Sequence, residues 1–503
     1  MNKQIMLITL LTFSILPIMA DDDIETFGKS FFFPRSQGTN SLSDVNNLAH
    51  FQYPFARPEL HGYYGWSLEY QRSYNEEDLA RYMFFNNTDT MRFGNIGTGI
   101  DVFARNFILN DDFEGSVTAR PRIESIIMDQ LFQLNLGGDY ENVYMTLNAP
   151  IAWTKFDMQL EETITSSGTD IPLNILGNPA NEPSPYNSII QAWKGNLQLQ
   201  GFYPDVKRPL EFAKINGPQT TGSLVQLEYA LGYYFVTKPD AHFGMEARIV
   251  IPTGNSPKGE FVFEPLAGNG HHTQLGVGFQ GHLNVVDYGG LDFAVYGVAH
   301  FYHLFNAKQH RTFDLKLNGI GSRYLLLKKF NPDGTYAGEI EFGPNILTLG
   351  CKTKVPLLMD GSVIAVYDFG NTTLVAGYTC WARTAETVSI TESIPHNTYG
   401  VQGNTPTAGA NTNTTASATR INGQFADTFD QAPQFLNLNN VNTRSASPPA
   451  AYSNRISAHV AYNWEQHPFD PYLLIGGFLE MSGAGNQAMS QWSMFTQFGL
   501  SIQ

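Results

Sequence analysis

Past its first twenty residues, the 503-residue chain has no apolar run near the roughly 20 residues that a membrane-spanning helix needs; PYLLIGGFLEM, the longest, is about half that. A helical membrane protein is therefore excluded. Charge is also scarce: Asp, Glu, Lys and Arg make up only 15% of the residues, and 46 acids against 30 bases give a formal charge of -16. General nucleic-acid binding needs concentrated Lys and Arg, so that class is excluded as well. Only Cys351 and Cys380 occur, and no disulfide framework can rest on two thiols whose alternating neighbours, Leu347 and Leu349 against Leu374 and Ala376, put them on different faces. Helical periodicity is nearly absent. So are the nucleophile elbow GxSxG and the zincin helix, and nothing declares a hydrolase.

What the chain has instead is aromatic residues, 36 Phe, 24 Tyr and 6 Trp, and long alternation. From Leu224 to Asn255 it reads LVQLEYALGYYFVTKPDAHFGMEARIVIPTGN. Val225, Leu227, Tyr229, Leu231, Tyr233 and Phe235 share one parity; Gln226, Glu228, Ala230, Gly232 and Tyr234 share the other. After TKPDA, the residues Phe243, Met245, Ala247, Ile249 and Ile251 stand opposite Gly244, Glu246, Arg248 and Val250. A period of two marks strands, and the short break between the runs marks an antiparallel hairpin. Similar runs occur at YYGWSLEYQ, IIMDQLFQLNLGG, HTQLGVGFQGHLNV, GLDFAVYGVAHFYHLF, PNILTLGCKTKV, SVIAVYDF, TLVAGYTCWA, ISAHVAYNWE, PYLLIGGFLEM and QWSMFTQFGLSI, with weaker candidates at RYMFF and IDVFARNFIL. In VYMTLNAPIAWTKFDMQLEE the apolar parity switches after Trp153 to Phe156, Met158 and Leu160, which signals a bulge or a strand leaving the membrane.

Many runs approach or exceed the roughly 9 to 11 residues of a tilted transmembrane strand, against the 5 or 6 usual in soluble sheets. The expected fold is all-β: a transmembrane antiparallel up-and-down barrel of about 12 to 14 strands, with 16 as the upper alternative, and long extracellular loops. Residues 1–20, MNKQIMLITLLTFSILPIMA, have the layout of a secretory signal peptide, with a basic Lys3 before an apolar run. Residues 21–58 lack a sustained period and are expected to form a periplasmic arm or a plug, and 59–503 the barrel. Within the barrel, residues 393–454 are rich in Asn, Thr, Ala and Ser and are expected to form one long polar loop without a core.

With these features in place the chain resembles a bacterial outer-membrane β-barrel of the porin or FadL-like transporter kind. IPTGNSPKGEFVFEPLAGNGHHTQLGVGF is similar to uncharacterised barrel proteins of bacterial symbionts, and its PTG at a strand exit is similar to barrels linked to hydrocarbon uptake. The resemblance implies residence in outer-membrane lipid, insertion by the barrel-assembly machinery, passive or facilitated passage of small solutes, and no chemical step or cofactor. The last strand alternates Trp492, Met494, Phe498, Leu500 and Ile502 but ends on Gln503, where such barrels usually end on an aromatic.

Charged and polar residues on the inward parity are the candidate pore lining: Glu228, Glu246, Arg248, Gln274, His282, Asp292, His300, Lys352 and Lys354. Pairing across TKPDA brings Glu228, Arg248 and Glu246 together, and wet cross-strand ion pairs explain them better than acid–base catalysis does. GNGHH, with Glu264 nearby, offers two imidazoles and falls short of a metal-ligand set. The alternative function is a sealed surface barrel displaying the 393–454 loop for structural or host contact.

Overall fold

The computed structural model describes residues 28–51, 59–97, 99–170, 186–195, 205–288, 291–403, 412–425, 428–464, 467, 469–483 and 489–502. The expected signal peptide lies outside them, as do residues 21–27 and 52–58 of the expected arm. Twelve strands form a continuous antiparallel meander. They are β1 (His61–Ser73), β2 (Arg122–Asn135), β3 (Val143–Asn148, resuming as Ile151–Asp157), β4 (Gln219–Leu224, resuming as Gln226–Lys238) and β5 (Ala241–Pro252). There follow β6 (Gln274–Tyr288), β7 (Leu291–Thr312), β8 (Thr348–Phe369), β9 (Thr372–Arg383), β10 (Ala451–Asn463), β11 (Tyr472–Ser482) and β12 (Gln491–Ile502). β1 pairs with both β2 and β12, Gly62 lying opposite Leu134 on one side and Ile502 on the other, so the sheet closes on itself and the ring of strands within the lipid has no open edge. Closure lets a sheet cross lipid, because every backbone N–H and C=O then finds its partner within the ring. The architecture is that of an outer-membrane-type barrel, at the low end of the expected strand range and below 16.

Side-chain polarity follows the expected parity. Tyr229, Leu231, Tyr233, Phe235, Met245, Ile249 and Ile251 are exposed on the outer wall, while Gln226, Glu228, Tyr234, Glu246 and Arg248 are buried inside. Val225 departs from its run: it sits at the break in β4 and is buried beside Ile127 and Ala152. At the short-turn end, outward aromatics form a girdle, with Tyr233–Phe235 centroids 5.1 Å apart, Tyr367–Phe369 at 4.7 Å and Tyr462–Trp464 at 4.9 Å. Aromatic rings suit the lipid–water boundary, where one end is apolar and the other wet. Gly276 and Gly278 leave room for inward packing, since a Cβ there would run into the Tyr302 ring and the Glu246 side chain.

β7 and β8 each run 22 residues, far beyond what lipid requires, and the excess rises into a cap built from the long loops. Around Leu304 and Ala307 in β7 the register with β8 shifts. Beyond this irregularity Ala307, Gln309, Arg311, Cys351 and Thr353 point inward and Lys308, Lys352 and Lys354 outward. PNILTLGCKTKV and SVIAVYDF therefore contribute to one strand, and Lys352 and Lys354 do not line a pore. Above the membrane the solvent is water, so the outer face turns polar and the inner face packs against protein. The same inversion explains the parity switch in β3: Phe156 and Met158 are buried in the cap.

The cap holds the largest apolar cluster among the described residues, with Phe93, Phe107, Trp193 and Tyr324 at its centre. Its sheets are Thr90–Gly94, Val102–Phe103, Glu114–Thr118 and Glu161–Ser166; Leu326–Phe330 between Tyr336–Phe342 and Tyr399–Val401; and the short pair Asp314–Leu315 with Val441–Asn442. RYMFF begins inside a helix (Glu76–Met83), and most of IDVFARNFIL forms a two-residue strand and a 3-10 turn, so neither is a barrel strand. Residues 393–454 also depart from expectation. Ile394, Tyr399, Val401, Ile421, Leu436 and Val441 are buried in the cap core, and residues from Ala451 onward belong to β10. A segment too poor in apolar residues to build a core alone can still contribute a few to a core that other loops supply.

Two outcomes test this architecture. Leu231→Arg on the lipid face costs about 2–4 kcal/mol of folding stability in liposomes, read from urea titration of heat-modifiable gel mobility. In the cap, burial pushes the Lys328 ammonium from 10.5 down to about 7. Between those values the unfolded chain holds a proton that the folded one has shed, so cap stability rises with pH across that window. The rise is absent in Lys328→Met, with fluorescence of the buried cap residue Trp193 following the urea transition at each pH.

Candidate functional site: the filled lumen

Residues 28–51 pass through the barrel from the cap to the short-turn end, and nearly all are buried. They enter through SFFFPR. Alternation splits the three phenylalanines: Phe32 packs into the cap beside Tyr82 and Phe263, while Phe31 and Phe33 face the mouth of the barrel. There the Arg311 guanidinium lies 3.7 Å from the Phe31 ring centroid and that of Arg383 lies 5.1 Å from Phe33. Cations over ring faces are favoured, the more so when desolvated. Arg311 also pairs with Glu386. Burial by itself would raise the Glu386 carboxyl, but Arg311 and His272 hold it down at about 2.

Deeper in, NSLSDVNNLAHF forms a helix, α1 (Ser41–His50). The Asn40 side chain caps it by accepting from the Ser43 N–H at 3.4 Å. Leu42, Val45, Leu48 and Ala49 recur at helical spacing and pack into a cluster with Val298, Ile364, Val366 and Leu474 of the wall. The remaining faces are polar and meet a polar wall. The Ser41 N–H and hydroxyl donate to Asp360 at 3.0 and 2.9 Å, and Ser41 and Ser362 hydroxyls are 2.7 Å apart. The Ser43 hydroxyl donates to Asp129 at 3.3 Å, Tyr472 donates to Asn47 at 2.8 Å, and the Nε2 atoms of His50 and His459 lie 3.0 Å apart. On β1, Gly65 leaves room for Asn47, which a Cβ would strike.

Two buried ion clusters tie this segment down. Arg35 reaches Asp360 at 2.8 Å and Glu480 at 3.3 Å, and Glu480 also accepts from Arg455 at 2.8 Å and Gln491 at 2.7 Å. In the second, Arg248 donates to Glu228 at 2.6 Å, to Glu246, and to His300 at 2.6 Å, and reaches Asp44 of α1 at 3.4 Å. The Tyr302 hydroxyl donates to Glu228 at 2.6 Å. Charges removed from water are tolerated only when paired and hydrogen-bonded, and the wall and the inner segment complete each other in this way.

Of the residues expected to line a pore, Glu228, Glu246, Arg248 and His300 come together in one cluster. Gln274 is buried nearer the mouth, and neither polar end of its side chain has a hydrogen-bond partner among the described residues. His282 is inward but distant, stacked on Tyr296 at 5.2 Å beside His242. Asp292 is exposed near the turn rim, opposite Asp287 and Asp368, because β7 is already outside the lumen at its first residues. Lys352 and Lys354 face outward, as described. The pairing across TKPDA holds in the body of the hairpin, Ala230 opposite Arg248 and Gly232 opposite Glu246, with a one-residue shift near the turn. In GNGHH, His272 bonds the Phe305 carbonyl of β7 at 2.7 Å, whereas Glu264 accepts from the backbone of Lys258 and Gly259 within its own loop, so the two face different partners. Asp129, Asp360, Arg455 and Glu480 are inner charges that sequence reading passed over. Their signal was a charged residue inside an alternating strand, on the polar parity.

No protein-family model and no curated protein matches the chain. Among solved structures, an outer membrane channel from Pseudomonas putida F1 aligns over 89% of this chain and 98% of its own, at 8% identity and a TM-score of 0.35. The CymD monoaromatic hydrocarbon channel covers 95% of this chain and 98% of its own at 8% identity and a TM-score of 0.26. The beta domain of a Bordetella autotransporter covers 88% and 100% at 6% and 0.28. Likeness this distant assigns neither solute nor activity, and the barrel stands on its own strand pairing.

Arg248→Met strands Glu228 and Glu246 without their cation and costs about 3–5 kcal/mol in urea titrations of the folded barrel. Adding Glu228→Gln and Glu246→Gln to the same chain recovers most of that loss.

Proposed function

We propose that the chain is a plugged channel of the bacterial outer membrane, exported by its N-terminal signal peptide and inserted by the barrel-assembly machinery. Residues 28–51 block the lumen at rest and shift to let small polar solutes pass. The observation that carries this reading is the polarity of the contact between inner segment and wall. Ser41, Ser43, Asp44, Asn47 and Arg35 meet hydroxyls, carboxylates and Arg248. Water can replace such partners one by one, whereas a wholly apolar interface would have to be broken at once. No chemical step is needed, and the inner charges would set selectivity once the path opened.

A second reading has support in the cap. With the lumen filled and a folded apolar core over its mouth, the barrel would be an anchor that presents the cap to a host or to a neighbouring cell. One tether separates the two. In a chain with Cys351 and Cys380 replaced by Ser, the substitutions Ser41→Cys and Ser362→Cys put two thiols where the hydroxyls now touch. Liposome-swelling assays with small sugars and amino acids should show uptake by the untethered chain, its loss on oxidation and its return with reductant. Uptake that ignores the tether would mean that passage does not need residues 28–51 to move, and no uptake by the untethered chain would favour the anchor.

A further inference from the structure

The lysines turned outward by the shift in β7 and β8 form a patch whose nearest acid on that face, Glu392, lies against His310 and pairs with none of them. Lys308 and Lys352 are direct cross-strand partners, and Lys354 shares their face two residues along. Like charges directly opposite one another destabilise a strand pair. Among the described residues none of the three makes an ion pair. The neighbouring acids are engaged elsewhere: Glu392 accepts from the Gly350 N–H at 2.7 Å and lies 3.6 Å from His310, and Glu386 points inward to Arg311. On the other side of β8, a short strand (Thr387–Ile390) sets Ser389 opposite Lys352 and Thr387 opposite Lys354, both exposed, adding two hydroxyl donors to the three ammonium groups.

The patch adjoins the lipid belt. Three residues below Lys308 and Lys354 stand Phe305 and Leu357, 45% and 46% exposed on the outer wall. At about 3.4 Å per residue the ammonium groups lie within roughly 10 Å of that apolar edge. We infer that this face holds the phosphate-bearing headgroup of a lipid in the leaflet at the long-loop end, its acyl chains lying along Phe305 and Leu357. The inference rests on the barrel being in a membrane, and on nothing about what passes through it. Lysines at this height gain by neutralising lipid phosphates, and a bound phosphate removes the repulsion between Lys308 and Lys352.

The test uses the full chain purified in non-ionic detergent and native mass spectrometry, with monophosphoryl lipid A as the probe and phosphatidylcholine as the zwitterionic reference. The Lys308→Gln, Lys352→Gln, Lys354→Gln triple variant should retain the phosphorylated lipid about tenfold less than the parent, or weaker still. Lys238→Gln at the opposite rim should retain it unchanged. Equal retention by the triple variant and the parent, or an equal loss in Lys238→Gln, overturns the site. Displacement of the lipid by an equal concentration of inorganic phosphate would mean that the patch takes free anions, and dephosphorylated lipid bound as well as the probe would mean that it does not read the phosphate; either result overturns the assignment. Heat-modifiable mobility checks folding, and Lys352→Gln alone, which separates the facing pair, replaces the triple variant should that not fold. A parent chain that fails to enter liposomes would refute the membrane reading instead, which keeps the two failures distinct.

Discussion

The closed ring of backbone hydrogen bonds is the constraint on which the rest of this molecule depends. Once β1 pairs with both β2 and β12, no edge is left to satisfy within the lipid. The apolar parity of each strand is then free to face lipid, and the polar parity is committed to the inside. The interior therefore cannot be an oil-like core throughout, although the apolar stripe of α1 meets one apolar patch of the wall around Val298 and Ile364. It must be wet or be filled by something polar, and residues 28–51 fill it with serines, asparagines and ions matched to Asp360, Glu480 and Arg248.

The same constraint accounts for the cap. A ring that hides a largely polar side has its larger apolar cluster elsewhere, and the long loops build that cluster above the mouth, around Trp193, Phe107 and Tyr324. Where β7 and β8 leave the lipid, the surroundings of each face exchange and polarity inverts. Phe156 and Met158 face into the cap, Lys308 and Lys352 turn out to water, and β7 and β8 themselves run on unbroken. The inner segment joins both parts, with Phe32 in the cap core and α1 in the barrel.

Much of the wall was legible from alternation. The hairpin from Gln226 to Pro252, the outward Leu/Tyr/Phe parity and the aromatic girdle at its turn all follow from a period of two combined with the choice of lipid for the apolar side. The Glu228, Glu246 and Arg248 cluster was legible for the same reason, being charged residues on the buried parity of neighbouring strands. The α1 helix was less so, although Asn40 before Leu42, Val45 and Leu48 is a cap ahead of a helical stripe. Ten residues in a polar, proline-flanked stretch give little periodicity to detect. Lys352 and Lys354 were misassigned because the apolar side of their run, Leu347, Leu349 and Cys351, was taken to meet lipid, whereas it packs into the cap and leaves the lysines outside.

The sequence by itself determined a wall: an antiparallel set of alternating strands, counted to within a few, and which parity of each meets lipid within the membrane. These are local properties, set by alternation along one strand and by the residues between two. Only the tertiary structure decided what lies inside that wall and above it. The partner of Asp360 is Arg35, that of Arg248 is Asp44, and residues 393–454 lend their few apolar side chains to a core that distant loops supply. Such pairings join segments hundreds of residues apart, and they form only once the ring has closed and brought its interior charges within reach of a chain passing through it.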